Sequence, residues 1–273
     1  MVVRTIPSTG EALPIIGLGT WQVFDVKDPG AFPSLAQVLQ HMQQAGASLI
    51  DSSPMYGHAE SAVGSLTAAS GFSDHFFYAT KVWTTGKKEG IRQMEESFAK
   101  MKRQKMDLLQ IHNLLDWRTH LATLRDWKAE GRIRYIGITH YTDGMHAELE
   151  KVMRTEAVDF VQFNYSVFNR HAEERLLGAA ADLGVATLIN RPFGEGSIFS
   201  KVKGVSLPAW AVEQGIATWS AFFLLYIASH PAVTAIIPAT GNPRHALDNF
   251  EALDLPLPSA AFRSRMAGFI DGL

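Results

Sequence analysis

The sequence predicts an α/β fold of the (β/α)8 TIM-barrel class, with eight parallel strands and a short N-terminal β-hairpin. Short apolar runs rich in β-branched or aromatic residues recur along the chain, and helical patterns separate them. Eight predicted strands are each followed by a predicted helix. Continuous apolar strands that alternate with helices indicate a parallel sheet with a covered outer face, and eight right-handed units of this size close naturally into a barrel.

Each predicted strand is a short apolar run, and each predicted helix shows helical spacing of its apolar residues. The strands are predicted at residues 15–18, 48–51, 76–81, 107–112, 134–139, 160–164, 186–189 and 234–238. The helices are predicted at residues 35–45, 60–68, 87–103, 119–130, 145–154, 173–183, 216–228 and 243–252. Ahead of them, segments 3–6 and 12–14 flank the turn-forming residues 8–11, which predicts a hairpin able to plug the barrel floor.

A doubly wound sheet shares this alternation, but it usually carries a glycine-rich phosphate loop after its first strand. Here Gly17-Leu18-Gly19 matches only the opening of G-x-G-x-x-G, because Gln22 occupies the position of the last glycine. The missing motif favours the barrel. Residues 194–208, the longest segment of uncertain structure, would then form a loop at the carboxyl end of a strand, where barrel active sites lie.

Composition restricts the class of partner. The chain has 25 basic and 27 acidic residues, a net charge of −2, and no run of five like charges that would suggest a nucleic-acid arm. We therefore expect a small, neutral or weakly charged partner and no nucleic acid. The absence of cysteine excludes disulfides, thiolate metal sites and cysteine nucleophiles.

Nothing in the sequence divides the chain into parts. It carries no Gly/Ser-rich linker, low-complexity tract or repeat, so we expect a single barrel domain over residues 1–273. Residues 1–7 lack the apolar core of a signal peptide, and the richest apolar stretch, residues 221–228, is too short to cross a bilayer. We expect a cytoplasmic protein, a monomer or weak oligomer, with no membrane partner.

Four polar residues lie at or just beyond the carboxyl ends of successive predicted strands, namely Asp51, Tyr56, Lys81 and His112. A barrel brings them to one mouth. A tyrosine, with a reference pKa of about 10, needs help to exchange its proton at neutral pH, and the Lys81 ammonium beside Tyr56 would favour the phenolate. Asp51 would hold that lysine as a cation, and a neutral His112 would orient the substrate oxygen. Reduction of a carbonyl polarised in this way requires a hydride. No amino-acid side chain can supply one, which implies a nicotinamide cofactor.

Around these residues the chain resembles the aldo-keto reductase family, from residues 17–21 to residues 248–249. The most specific motifs are Leu-Ile-Asp-Ser-Ser-Pro-Met-Tyr-Gly at 49–57, Ala-Thr-Lys-Val at 79–82 and Leu-Leu-Gln-Ile-His at 108–112. The resemblance carries the family's catalytic tetrad over onto Asp51, Tyr56, Lys81 and His112. It implies reduction of an aldehyde or ketone with NADP(H), or with NAD(H), and Tyr56 as the proton donor.

The resemblance also implies where the cofactor binds. Contacts are expected at the first strand end and near the nicotinamide carboxamide, from Gly19, Thr20, Trp21, Thr139, His140 and Gln162. Where many members carry Ser-Asn after strand five, this chain has Thr139-His140, and an imidazole does not reproduce amide geometry.

At the adenosine end, Ile-Pro-Ala-Thr-Gly-Asn-Pro at 237–243 resembles the family's cofactor segment. The expected contacts are Thr240, Gly241, Asn242, Arg244, Asp248 and Asn249. Ala239 stands where relatives meet the 2′-phosphate with a lysine, and His245 stands where many carry an arginine. Arg244 would have to approach from the adjacent helical position. We therefore expect NADPH to be preferred over NADH, by a smaller margin than in those relatives.

A larger departure follows strand seven, where family members commonly place a tyrosine that stacks on the nicotinamide. This chain reads Asn190-Arg191-Pro192-Phe193-Gly194 there, and Asn190 cannot stack as an aromatic does. Arg191 would lie over the edge of the ring or bind the pyrophosphate, and Phe193 would supply apolar cover.

Several large residues follow predicted strand ends and are candidate walls of the substrate pocket: Trp21, Phe24, Trp83, Asn113 and Trp117. The chain continues only briefly beyond its last predicted helix, so little tail is available to fold over the mouth, and we expect an open, permissive site.

Two other classes of function compete with a reductase. A cofactor-binding regulatory or sensor protein is the first, and the intact tetrad argues against it. The second is a metal-dependent hydrolase. The ten histidines are scattered, without an H-x-H or H-E-x-x-H pair, so no metal is expected.

Overall fold

A computed structural model describes residues 1–273, apart from the side chain of Pro29. Ten strands are present: β1 (Val3–Thr5), β2 (Ala12–Pro14), β3 (Leu18–Gly19), β4 (Leu49–Asp51), β5 (Phe77–Val82), β6 (Met106–Ile111), β7 (Ile133–Thr139), β8 (Phe160–Asn164), β9 (Ala186–Asn190) and β10 (Ala235–Ile236). Twelve α-helices accompany them: α1 (Phe32–Gln44), α2 (Ala59–Ala69), α3 (Lys87–Lys100), α4 (Trp117–Ala129), α5 (His146–Thr155), α6 (His171–Glu174), α7 (Leu176–Leu183), α8 (Ser197–Lys201), α9 (Ala209–Val212), α10 (Trp219–Ala228), α11 (Pro243–Glu251) and α12 (Ala260–Asp271).

Strands β3 to β10 form one parallel sheet in chain order, and its two edges meet. The Gly17 amide donates to the Ile236 carbonyl at 2.8 Å, and the Gly19 amide donates to the Pro238 carbonyl at 3.0 Å. These bonds join the first and last strands into a ring, which confirms the predicted (β/α)8 barrel. Cβ atoms at Gly17 and Gly19 would meet backbone oxygens at 2.5 and 2.9 Å, so glycine is required for this closure.

Strands β1 and β2 pair as the predicted antiparallel hairpin. Ile6 and Leu13 from the hairpin are buried together with inward-facing strand residues such as Leu49 and Phe77. The hairpin therefore plugs the barrel floor, as predicted. A second, larger apolar cluster lies between the strands and the surrounding helices.

The helices differ from prediction in four places. The helix expected at 173–183 breaks at Arg175, whose φ of −147° is not helical, into α6 and α7. The helix expected at 216–228 begins at Trp219, because the Thr218 hydroxyl caps it by accepting from the Ala221 amide. The expected loop at 194–208 contains α8.

The fourth difference is α12, which was not predicted. Met266 and Ile270 are its buried residues, and Arg263 pairs with Glu173 of α6 at 2.5 Å. The end of the chain thus packs as a helix against α6. Among the described residues, no helix is long and apolar enough to span a membrane.

Candidate active site

The interior of the barrel changes from apolar to polar along strands β4 to β9. Inward-facing positions repeat every second residue, so Phe77 and Ala79 in the buried interior are followed by Lys81, and Leu49 is followed by Asp51. Strands β6 to β9 repeat the pattern, with Gln110, Thr139, Gln162 and Asn190 in turn towards their carboxyl ends. These polar ends open into a cavity of about 970 Å³. The sequence thus builds the floor from apolar side chains and the mouth from polar ones.

Asp51 and Lys81 form an ion pair at the base of this cavity. The Lys81 Nζ donates to Asp51 Oδ2 at 2.6 Å and to the Ser52 carbonyl at 2.9 Å, and both side chains are buried. The other carboxylate oxygen accepts from Gln110 at 2.8 Å and Gln162 at 3.0 Å. Burial by itself lowers the pKa of Lys81, but Asp51 and Tyr56 outweigh it and the pKa is raised. The lysine is therefore a cation in the barrel interior.

Tyr56 lies in the loop between β4 and α2, with the Lys81 Nζ 4.9 Å from the centroid of its ring. Burial raises the pKa of Tyr56, and the Lys81 charge opposes that rise. Gly57 has a φ of +60°, and a Cβ there would meet the Asp25 carboxylate at 2.3 Å. Asp25 also accepts from the His58 amide at 2.8 Å. This turn holds the phenol over the cavity.

His112 follows β6 and stands edge-on to Tyr56, with ring centroids 5.7 Å apart. Its Nδ1 is hydrogen-bonded to the Ser53 hydroxyl at 2.9 Å. Burial, helped by the Lys81 charge, lowers the pKa of His112 to about 2. The imidazole is therefore neutral over the whole physiological range. The structure brings the four predicted polar residues together at one mouth.

Two neighbours of the tetrad were not predicted as site residues. Ser53 contacts His112, and Gln110 contacts Asp51. Gln110 carried a usable signal, because it is an amide between apolar residues in the buried part of β6, and buried polar groups need partners. Ser53 carried no such signal, since its hydroxyl suits any loop.

Most of the predicted cofactor residues line the cavity: Gly19, Thr20, Trp21, Thr139, His140, Gln162, Asn190, Arg191, Pro192, Phe193, Thr240, Asp248 and Asn249. The Asn190 Oδ1 is buried and has no hydrogen-bond partner among the described atoms. Its amide nitrogen is 3.4 Å from both the His140 carbonyl and Gln162 Oε1. A buried acceptor of this kind needs a donor from outside the chain, and a carboxamide N–H has that chemistry.

Arg191 lies at the rim with φ of +51°. Its guanidinium pairs with Glu195 at 2.5 Å and lies 4.3 Å from the centroid of Tyr141, a residue that was not predicted to belong to the site. The Tyr141 ring stacks in turn on His140. Arg191 therefore connects the loop after β9 with the loop after β7 across the cavity rim.

The adenosine-end residues divide into two groups. His245, at the position where many relatives carry an arginine, lines the cavity, whereas Arg244 is outside the lining. Asn242 is the N-cap of α11, and its Oδ1 accepts from the Arg244 amide at 3.0 Å. Gly241, like Asn242, is outside the lining. Both side chains are exposed at the start of the helix, but His245 borders the cavity and Arg244 does not.

Three further predictions on lining residues need correction. Phe24 is fully buried in the core, because the turn closed by its amide on the Thr20 carbonyl points the ring inward. Trp117 is the first residue of α4 and packs on the core with Arg118 over its ring, 4.2 Å from the centroid. Gly194 also lies outside the lining, whereas Trp21, Trp83 and Asn113 belong to it.

A comparison with protein families shows which family the chain belongs to. The model of the aldo/keto reductase family matches residues 15–265. The chain belongs to this family. Its members are oxidoreductases that use NAD(P)H, and the chain is an enzyme of that class.

Individual relatives of this aldo/keto reductase are distant in sequence. The aldo-keto reductase YhdN of Bacillus subtilis is 24% identical over 74% of this chain, an alignment that spans 65% of the relative's own length. An aldo-keto reductase of Mycolicibacterium smegmatis is 24% identical over 93% of this chain and 89% of its own. In structure, an aldo-keto reductase from Klebsiella pneumoniae in complex with NADPH superposes with a TM-score of 0.84 at 23% identity, covering 99% of this chain and 96% of that one. The last likeness shows the shared fold.

Proposed function

We propose that this aldo/keto reductase reduces an aldehyde or ketone to the alcohol with NADPH, and that Tyr56 donates the proton. The observation that carries the proposal is the buried Asp51–Lys81 pair beneath the Tyr56 ring, at the polar end of the barrel. A charge pair fully withdrawn from water is costly, and sites where such charges perturb a neighbouring group are candidates for proton transfer.

The proposed role of each catalytic residue follows from its protonation state. A phenol with a raised pKa is protonated at neutral pH and can give its proton to a developing alkoxide. Lys81 stabilises the phenolate that remains, and Asp51 keeps Lys81 charged. Neutral His112, accepting at Nδ1 from Ser53, presents an Nε2–H donor to the carbonyl oxygen. Bound NADPH supplies the hydride.

The cavity suits a dinucleotide. Its lining runs from the tetrad to the start of α11, and the buried Asn190 oxygen offers an acceptor for the carboxamide. Arg191 at the rim can leave its ion pair with Glu195 and bind a pyrophosphate oxygen instead.

The initial test is a fluorescence titration with NADPH and NADH, followed by assay of a panel of aldehydes and ketones. Saturable binding with turnover is expected, whereas binding without turnover on any carbonyl would favour a sensor.

Replacement of Arg191 is expected to weaken cofactor binding more than replacement of Asn190. A charged hydrogen bond to phosphate contributes roughly 1.5–3 kcal/mol, against about 1 for a neutral one. Dissociation constants of NADPH for Arg191→Ala and Asn190→Ala, measured by fluorescence, give the comparison. Glu195→Gln is the matched control, because it removes the competing carboxylate and should leave binding intact or tighter. If the two substitutions weakened NADPH binding equally, or if Asn190→Ala weakened it more, Arg191 would be a residue of the cavity rim that does not bind the cofactor.

Preference for NADPH over NADH is expected to be modest and to depend on His245 more than on Arg244. His245 faces the cavity, Arg244 does not, and no lysine stands at Ala239. One hydrogen bond to the 2′-phosphate corresponds to roughly five- to tenfold in affinity. His245→Ala should weaken NADPH by that factor and leave NADH almost unchanged, while Arg244→Ala should change neither by much. A larger effect at Arg244, or tighter binding of NADH by the wild type, would contradict this assignment.

A further inference from the structure

A second cluster of chemically active side chains lies outside the proposed catalytic site. Asp143 precedes α5, His146 begins it, and His171 begins α6. One potential ligand atom from each of the three lies within 4.8 Å of the other two. His146 and His171 also border a cavity of about 510 Å³. We propose that these three residues bind a divalent transition-metal ion of the Zn²⁺ class.

The hydrogen bonds around His146 direct one nitrogen towards His171. The Asp143 carboxylate can only accept, so the Asn164 amide nitrogen, 2.5 Å away, donates to it. The Asn164 oxygen is then left to accept from His146 Nε2 at 3.0 Å. His146 is thereby held in the tautomer whose unprotonated Nδ1 faces His171. Outer hydrogen bonds of this kind fix the orientation of metal-binding histidines in proteins.

The spacing of the two imidazoles suits a shared ion. Their Nδ1 atoms are 2.9 Å apart, a separation that requires one bridging proton. Two nitrogens bound to one tetrahedral zinc at about 2.0–2.1 Å are roughly 3.3 Å apart, so an opening of about 0.4 Å would let a metal replace that proton. His171 is 43% exposed and starts a four-residue helix, which leaves it room to move.

Hydrogen bonds also fix the orientation of the Asp143 carboxylate. Asn169 donates to both oxygens of Asp143 at 3.0 Å, in addition to the bond from Asn164. The Asp143 side chain is 41% exposed, so a lone pair remains accessible on the outer side. Two imidazoles and one carboxylate form a ligand set typical of zinc, cobalt and nickel, with water completing the coordination.

The local sequence gives little sign of this cluster. His146 follows Asp143 by three residues, a helical spacing, but His171 lies on the next βα unit and only the barrel brings it close. This is why the expectation of no metal, which rested on the absence of short histidine pairs, does not bear on the cluster.

The experiment is a metal titration of the chelator-treated, dialysed protein. Zn²⁺ binding is measured by calorimetry, and Co²⁺ binding by the visible absorption of the protein-bound ion. We expect one ion per chain, and a loss of affinity of at least tenfold in both His171→Gln and Asp143→Asn. His58→Gln is the matched control, because His58 is 48% exposed and pairs with a single carboxylate, Asp25. It should retain wild-type binding.

Three results would overturn the assignment. One is the absence of saturable binding by the folded wild type. The second is an unchanged affinity in His171→Gln and Asp143→Asn, and the third is an equal loss in His58→Gln. Circular dichroism of each variant shows whether it is folded. Because the readout is metal binding and not turnover, the outcome is independent of the proposed reductase activity.

Discussion

Tyr56→Phe is expected to lose roughly 10²–10⁴-fold in turnover while its affinity for NADPH remains close to that of the wild type. The phenol hydroxyl is the group that would protonate the substrate oxygen, and the ring only lines the cavity. Loss confined to the chemical step lowers kcat and kcat/KM together. Steady-state assay of NADPH consumption, with fluorescence titration of the cofactor, measures both quantities.

The matched control is Tyr135→Phe, which makes the same change at the other end of the barrel. The Tyr135 hydroxyl donates to the Glu11 carboxylate and accepts from Thr9 of the floor hairpin at 2.8 Å. Loss of the hydroxyl should cost about 1.5–3 kcal/mol of stability, because one of its partners is a charged carboxylate, and should leave turnover nearly unchanged. Turnover within a few-fold of wild type in Tyr56→Phe would remove Tyr56 from the role of proton donor.

Lys81→Met is expected to combine a comparable loss of turnover with a large loss of stability. The buried Asp51 carboxylate would lose its cation, and breaking a buried pair by removing one partner costs about 3–5 kcal/mol. The hydrogen bonds from Gln110 and Gln162 would remain, so the lower end of that range is expected. Urea denaturation gives the change in the free energy of unfolding.

The pH dependence of this variant follows from two pKa shifts. Because the pKa of folded Lys81 is raised, the ion pair stabilises the protein fully below the ordinary lysine pKa, about 10.4, and that stability is lost only as pH rises through the higher folded value. The stability difference from wild type should therefore not vary with Lys81 titration across neutral pH. Without the cation that opposes its rise, the pKa of Tyr56 increases further, so the alkaline limb of turnover should move to higher pH.

Lys128→Met is the matched control for this substitution. Lys128 donates to Asp159 at 2.6 Å, and its side chain is 40% exposed while Asp159 is buried. The partly solvated pair should contribute less to stability, and its loss should leave turnover and its pH profile unchanged. An alkaline limb in Lys81→Met identical to that of the wild type would contradict the coupling between Lys81 and Tyr56.

The barrel could be predicted from the sequence because strand and helix periods differ and each unit repeats both. Its irregular parts could not. Arg175 breaks a helix whose local pattern is continuous, and α12 is stabilised by Arg263 bound to Glu173, a contact between residues 90 positions apart. Local propensity carries no information about either.

The tetrad was predictable for a related reason. Polar residues at strand ends must meet at the mouth once the strands are parallel, whatever the details of packing. Side-chain direction within loops and helix starts was not predictable in this way. Phe24 points into the core, and His245, not its neighbour Arg244, faces the cavity, because a shift of one residue turns a helix by about 100°.

The most direct test of the proposed reduction follows the hydride itself. NADPH carrying deuterium at the transferable C4 position is incubated with the protein and an aldehyde from the panel, and the products are analysed by mass spectrometry. We predict an alcohol with one deuterium on its carbinol carbon, formed in step with oxidised cofactor. In Tyr56→Phe the rate at which this alcohol forms should fall at least about 100-fold. Unlabelled alcohol, or recovery of both reactants under conditions where NADPH is bound, would contradict the account.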